Sequence, residues 1–127
     1  MSPRKAGEPV VEYVSRVRYL PMSAKKVRRV AKLVKGLPAD RALYILNNTT
    51  KRPARALAKL ILSALATAKA TVSPQDLDRM KIRQLMIDGG PEKWNAKKWR
   101  PASMGRASRI RKRTSHVTLS LWAGKGA

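Results

Sequence analysis

The sequence predicts an α+β fold in which three helices pack on a small antiparallel three-stranded sheet, with a long β-hairpin protruding from it. Three observations lead to this prediction. Residues 10–20, 81–88 and 115–122 have strand character, and apolar and polar side chains alternate in the first and the last of them. Between the first two segments, apolar residues recur at helical spacing. A basic stretch with little periodicity separates the last two.

The first predicted strand, residues 10–20, has two different faces. One face is mostly apolar and consists of Val11, Tyr13, Ser15, Val17 and Tyr19. The other carries charge and consists of Glu12, Arg16 and Arg18. Because successive side chains of a strand point to opposite sides, this pattern predicts a strand with a basic outer side.

The first helix follows directly, and both of its ends are marked. The Ser23 hydroxyl suits an N-cap, and Gly36 suits the left-handed conformation of a C-cap. The apolar stripe is Val27, Val30, Ala31 and Val34. The cations on the remaining surface are Lys25, Lys26, Arg28, Arg29, Lys32 and Lys35. An ordinary solvated face is the alternative, but without acids for ion pairs we interpret this helix as facing an anion.

Two more helices complete the predicted body. The second lies at about residues 38–48, with Pro38 early and Leu43 and Leu46 on its buried side. The third begins near Thr50, has Pro53 in its first turn and is interpreted as the central core helix. Its stripe is Leu57, Leu60, Ile61, Ala64, Leu65 and Ala68. Residues 72–78 are predicted to form a loop in which the two aspartates have turn or cap roles rather than metal-binding roles.

The charge of the chain bounds its function. The 127 residues include 29 Lys+Arg and 7 Asp+Glu, which gives a formal net charge of +22. Such a chain repels itself unless polyanions surround it, so we expect a nucleic-acid partner. The 43% hydrophobic content predicts a real core. The absence of cysteine excludes disulfides and thiolate metal sites. Without a signal-like or membrane-spanning apolar run, we expect an intracellular protein with no membrane partner.

The segment from Glu92 to Arg113 carries nine cations and a single acid, Glu92. Strands flank it on both sides, so we predict a hairpin that runs beyond the body to a tip near Ala96. Such an arm has no core, and an isolated two-stranded ribbon is marginal in water. Phosphates around the arm would supply both counter-charge and order. Trp94 and Trp99 either stack on exposed bases or pair with each other across the hairpin.

Four segments of the chain resemble the bacterial type of the L22 family of large-subunit ribosomal proteins. They read MSAKKVRRVAKLVKG, SALATAKA, IDGGP and, most specifically, GRASRIRKRTSHVTLSL. The resemblance covers about residues 11–121. It implies a non-enzymatic structural protein of the cytoplasmic ribosome that binds 23S ribosomal RNA and aids assembly. It also implies a body near the outer mouth of the peptide exit tunnel and an arm whose tip lines the tunnel wall. The implied partners are neighbouring large-subunit proteins and the nascent peptide, with the chain present as a monomer.

Charge and resemblance together give the predicted RNA-binding residues. Charge nominates Arg16, Arg18, Lys25, Lys93, Lys97, Lys98, Arg100, Arg109 and Arg111. Positions that match the family pattern are Ser23, Lys26, Arg28, Arg106, Lys112, Arg113, Thr114, Ser115 and His116. The tip that would face the tunnel is predicted at Trp94, Asn95, Ala96, Lys97, Lys98 and Trp99.

The predicted organisation is one domain, residues 1–127. Its body is residues 9–88 and 114–122, its arm is residues 89–113, and flexible ends lie at 1–8 and 123–127. The alternative function is a DNA architectural protein with β-ribbon arms, which predicts a dimeric body and equal affinity for duplex DNA. Scattered carboxylates disfavour an RNA-processing enzyme. His116 is the only histidine, so packing and hydrogen bonding are its expected roles, and neither metal nor cofactor is predicted.

Overall fold

The computed structural model describes residues 11–93 and 98–123. In chain order the elements are β1 (Glu12–Leu20), α1 (Ala24–Val34), α2 (Ala39–Asn47), α3 (Arg52–Lys69), the single-turn helix α4 (Pro74–Leu77), β2 (Lys81–Glu92), β3 (Lys98–Pro101), a 3₁₀ turn (Ser103–Gly105), β4 (Ala107–Ile110) and β5 (Arg113–Trp122). The predicted α+β class is confirmed. The predicted loop at residues 72–78 instead contains α4, because Pro74 suits the first turn of a helix.

The main sheet has the strand order β1-β5-β2, and both pairings are antiparallel. The central strand β5 presents Val117, Leu119 and Leu121 to the helices, and all three are buried, as their alternation predicts. Val17 of β1 and Ile87 of β2 both lie opposite Val117. A slip of one residue would turn this apolar row out to water, so the alternation fixes the register.

The helices cover one face of this sheet. The stripe predicted for α1 is buried in full, and α3 buries Leu57, Leu60, Ile61, Ala64 and Ala68 with Leu65 half-buried. Each large aliphatic side chain removed from water contributes about 1.5–3 kcal/mol. On α2, Leu46 is buried and Leu43 is half-buried. The core therefore lies where the sequence predicts it, between α3 and the central strand.

Strand β1 departs from its predicted alternation at one residue. Tyr13 is buried and its hydroxyl lies 2.7 Å from Thr71 Oγ1 at the end of α3. Tyr19 was predicted on the same face, but its ring is 61% exposed. The register shifts between Val17 and Leu20, and Tyr19 has a left-handed φ of 55°. A bulge of this kind redirects a side chain, which explains the difference.

The arm is built in two sections. First, β2 and β5 continue their pairing as far as Glu92 and Arg113, and the Lys93 N–H donates to the Lys112 carbonyl at 2.9 Å. Second, β3 and β4 form a separate ribbon with four residue pairs, from Lys98 with Ile110 to Pro101 with Ala107. Among the described residues of 91–113, none is buried. The described part of the arm therefore contributes no side chain to a core.

The chain reversal that closes this ribbon lies at residues 102–106, where the Ala102 N–H donates to the Arg106 carbonyl at 2.8 Å. Met104 and Gly105 have left-handed φ values of 58° and 66°. This corrects the tip position near Ala96, since the turn forms where glycine permits positive φ. Of the predicted tip residues, Lys98 and Trp99 lie on β3, and Trp94, Asn95, Ala96 and Lys97 lie outside the described residues.

Two further predictions bear on the rest of the chain. The predicted flexible ends, 1–8 and 123–127, lie outside the described residues except for Ala123. None of the helices within residues 11–93 and 98–123 is long and apolar enough to cross a membrane.

Candidate nucleic-acid interface

A groove of about 1160 Å³ runs between the arm and the beginnings of α1 and α3. Cations line both of its walls, namely Lys26 and Arg52 on the body and Lys93, Lys98, Arg111, Lys112 and Arg113 on the arm. Its other lining residues are Pro21, Met22, Ser23 and Pro53. Within the part of the chain that the structure describes, no carboxylate lines it. The groove is therefore suited to an extended polyanion.

Both helices that open into the groove leave their first turns without a side-chain cap. Ser23 occupies the predicted N-cap position of α1, but its hydroxyl makes no capping hydrogen bond. Lys51 precedes α3 and cannot accept one. The Lys26 N–H donates to the Ser23 carbonyl, the Ala54 N–H donates to the Lys51 carbonyl, and Pro53 has no N–H, so it is the positive end of each helix dipole that adds to the cationic side chains. These two helix ends favour phosphate oxygens at the body wall.

The arm has one internal source of negative charge. Glu92 lies 3.4 Å from Arg109 and 3.6 Å from Arg111, measured between the closest carboxylate oxygens and guanidinium nitrogens. All three side chains are substantially exposed, so each ion pair is worth about 0–1 kcal/mol. Arg100 and Arg106 are exposed on the ribbon as well. The arm thus keeps a large excess of positive charge available to a partner.

Trp99 is 62% exposed on the ribbon, and its partner on the opposite strand is Arg109. The sequence left two alternatives for the tryptophans, base stacking and pairing across the hairpin. Trp94 lies outside the described residues, so pairing across the hairpin stays a prediction. An exposed ring beside a guanidinium is an arrangement on which bases stack.

The root of the arm is held by close contacts rather than by apolar burial. The Thr114 hydroxyl donates to the Pro91 carbonyl at 2.5 Å, which joins β5 to β2 where the arm leaves the sheet. Gly90 faces this bond, and a Cβ added there would overlap Thr114 Oγ1 and would lie 3.2 Å from His116 Nε2. Glycine is required here because the side chains of β5 occupy the space that a Cβ needs.

Thr114 and Ser115 were both predicted to bind RNA, but they are buried, with exposed fractions of 6% and 0%. Ser115 lies on the central strand of the sheet and does not reach the surface. Both residues lie at the arm's root, and their contact with RNA stays a prediction. The sequence did not separate them from their basic neighbours, because the whole signature is continuous along the chain.

Arg16, Arg18 and His116 were predicted from separate parts of the chain, and the structure brings them together. They line a second concavity of about 280 Å³ where β1 bulges away from β5. The His116 Nδ1 accepts a hydrogen bond from the Tyr19 N–H at 3.0 Å. Tyr19 also lines this concavity, although the alternation along its strand predicts the apolar face for it.

Two other residues predicted to bind RNA lie outside the lining of the groove. Arg28 donates from Nε and Nη2 to the Ile87 carbonyl, at 3.1 and 2.7 Å, so its guanidinium joins α1 to β2. Lys25 is exposed on α1 but does not line the groove. Conversely, Arg52 lines the groove and was missed. The signal that marks it is a cation next to Pro53 in the first turn of a helix, whose N-terminus attracts phosphate.

The chain matches the family model for ribosomal protein L22p/L17e over residues 15–121. It belongs to this family. It is 43% identical over 102 residues to the large ribosomal subunit protein uL22 of Maridesulfovibrio salexigens, a match that covers 80% of this chain and 89% of that relative. It is 40% identical over 100 residues to uL22 of Sorangium cellulosum, covering 79% of this chain and 87% of the relative. It is also 39% identical over 115 residues to uL22 of Acidothermus cellulolyticus, covering 87% of this chain but only 40% of that longer protein.

The predicted resemblance to the L22 family is thus confirmed. The family match extends across both walls of the groove, the whole arm and the concavity at Tyr19. The basic sites described above therefore lie within the part of the chain that defines the family, and not in an appended segment.

Proposed function

We propose that this chain is a structural protein of the large subunit of the cytoplasmic ribosome, where it binds 23S ribosomal RNA and stabilises its folding during assembly. The observation that carries the proposal is the groove between arm and body, where seven cations face each other. A polyanion bound between these walls cancels their mutual repulsion and fixes the angle of the arm. Family membership and the relatives' names as large-subunit proteins support the same role.

The RNA backbone enters the groove with its phosphates between Lys26 and Arg52 on one side and Lys112 and Arg113 on the other. Arginine forks two phosphate oxygens, whereas lysine acts as a mobile point charge. The positive ends of the α1 and α3 dipoles attract the same phosphates. In this proposal the protein has a structural function, without catalysis or cofactor: it binds the RNA, neutralises its phosphates and orients its backbone.

The arm extends the proposal to the peptide exit tunnel. Residues 89–113 leave the body, at residues 9–88 and 114–122, as one protruding unit. The turn at residues 102–106 and the preceding segment from Trp94 to Trp99 line the tunnel and contact the nascent peptide. Met104 is 92% exposed at this turn. Neighbouring large-subunit proteins surround the body, and the chain is present as a monomer.

The salt dependence of RNA binding tests the groove directly. If the seven cations of the groove neutralise phosphates, log affinity falls against log salt with a slope of roughly −6. The double variant Lys93→Gln/Lys112→Gln should make this slope shallower by about 2. The matched control is Lys59→Gln/Lys69→Gln on the exposed side of α3, which removes the same charge outside the groove.

Equal slopes for the groove variant and the control variant would count against the groove as the binding site. The DNA architectural alternative makes a different prediction. It requires the full chain to bind duplex DNA as tightly as 23S ribosomal RNA and to sediment as a dimer. Competition binding and sedimentation on the same preparation separate the two functions.

A further inference from the structure

The concavity beside Tyr19 has the features of a binding pocket for one small, flat anion. It holds about 280 Å³, just below the range of about 300–1,000 Å³ of pockets for drug-sized ligands. Arg16, Arg18 and Thr118 contribute its polar lining, and Tyr19 and His116 contribute two rings. No carboxylate lines it in the described ranges 11–93 and 98–123. It is separate from the groove, since the two share no lining residue.

The pocket exists because of an unfavourable backbone conformation that the surrounding contacts hold in place. Tyr19 has a φ of 55°, which a bulky side chain rarely adopts. The hydrogen bond from its N–H to His116 Nδ1 fixes this conformation. The two rings meet edge to face, with centroids 4.9 Å apart and planes at 86°. Backbone strain of this kind concentrates at binding sites, because it presents a side chain that regular pairing would bury.

The contacts around His116 fix the orientation of its ring. Because Nδ1 accepts a hydrogen bond, the neutral ring carries its proton on Nε2, and that nitrogen lies over Gly90 at the root of the arm. The histidine ring thus has a contact on each side. It also meets the Tyr19 ring edge to face, and 61% of Tyr19 remains exposed.

We propose that this pocket binds a single unpaired nucleotide of the RNA, with its base stacked on Tyr19 and its phosphates held by Arg16 and Arg18. This proposal rests on the RNA binding proposed above. It adds that this pocket selects a nucleotide whose base is unpaired. An aromatic face beside guanidinium groups favours a splayed base over a phosphate alone. A paired base is excluded, because its faces are covered by its neighbours in the helix.

The chain provides its own reporter for this site, since His116 is its only histidine. The imidazole signals of the full-length protein are followed by NMR during titration with a mixed-sequence single-stranded RNA hexamer. We expect saturable ring-current shifts of these signals, and much smaller shifts with the same sequence as a blunt duplex. Tyr19→Asn should weaken the binding measured at His116 by roughly fivefold to 150-fold. Asparagine tolerates left-handed φ, so this variant keeps the bulge folded. Tyr19→Phe keeps the ring and should restore binding to within about twofold.

Three results would overturn the pocket: His116 signals that do not respond to single-stranded RNA, an equal response to the duplex, or a Tyr19→Asn variant that binds like the wild type. If a protein segment occupies the pocket instead of RNA, the His116 signals will not respond to single-stranded RNA. The proposed function fails by a different result, namely a wild-type chain that does not prefer 23S ribosomal RNA to duplex DNA. A steep salt slope with an unaffected Tyr19→Asn variant rejects the pocket alone.

Discussion

The body and the arm obtain their structure from different sources. Every buried apolar side chain that the structure describes lies in the body, between the sheet and its helices. In the described residues of 91–113, the backbone is paired but no side chain is buried. The body can therefore fold by removing apolar surface from water, whereas the described part of the arm is held by its hydrogen-bonded ladder and two weak ion pairs.

This difference explains where the charge is concentrated. Cations against a core would need counter-charges, but cations on a ribbon without a core remain exposed until a polyanion arrives. The arm is thus the part of the molecule whose order depends on its partner. The groove couples the two regions, because a phosphate backbone held at its body wall also contacts the arm.

The comparison predicts a large difference in amide hydrogen exchange in the free protein. Amides of α3 and the central strand should open only with global unfolding, which costs about 5–15 kcal/mol in typical domains. Amides of the ribbon formed by β3 and β4 should exchange within about tenfold of the unprotected rate. Adding 23S ribosomal RNA should protect the ribbon. A ribbon as protected as α3 in the free chain would contradict the proposed dependence on RNA.

Two methionines, one in the body and one in the arm, allow the contributions of the two regions to stability to be compared. Met80 is fully buried just before β2, and Met104 is 92% exposed at the arm's turn. Met80→Ala should lower the free energy of unfolding by about 2–5 kcal/mol because it leaves a cavity. Met104→Ala should change it by less than about 0.5 kcal/mol. Urea denaturation followed by circular dichroism measures both, and similar losses would mean that the turn packs against the body.

The same contrast determines how much of the fold is predictable from sequence. Burial imposes a period, so the stripe from Val27 to Val34 and the alternation from Val117 to Leu121 can be recognised from the order of the residues alone. The described residues of the arm bury no side chain, and the sequence of the arm has no period that places the turn. The tip was therefore predicted near Ala96, whereas the positive φ at Gly105 marks the actual reversal.

Some residues of the candidate site can likewise be predicted from the sequence, and others are revealed only by the packing of the fold. Cations on the arm were predictable from charge alone, but the groove needs Arg52, which is close to the arm only through the packing of α3. The role of Arg28 was equally hidden, because its acceptor is a backbone carbonyl on a distant strand. Tyr19 illustrates a third limit, since alternation assigns it to the apolar face and only the bulge turns it outward.

Two adjacent glycines test the boundary between the regions. Gly90→Ala forces a Cβ against Thr114 Oγ1 and disrupts its bond to the Pro91 carbonyl, so we expect a loss of about 1–3 kcal/mol. Gly89→Ala meets nothing within 4 Å and should be neutral or stabilise by up to about 1 kcal/mol through the unfolded chain. Thermal unfolding of the two variants provides the measurement. Equal effects would show that the arm's root is not held by this contact.

The smallest predicted effect concerns the acid of the arm. Glu92→Gln removes both ion pairs with Arg109 and Arg111, which should change stability by less than about 1 kcal/mol because all the groups are exposed. RNA affinity should rise, by roughly two- to fivefold, since the two arginines no longer have an internal partner and the arm gains net positive charge. Glu12→Gln removes the same charge from the pair with Arg83 on the body's sheet. If both variants raised RNA affinity equally, the gain would reflect the total charge of the chain and would not be specific to the arm. A rise confined to Glu92→Gln would show that RNA competes with Glu92 for the arm's arginines.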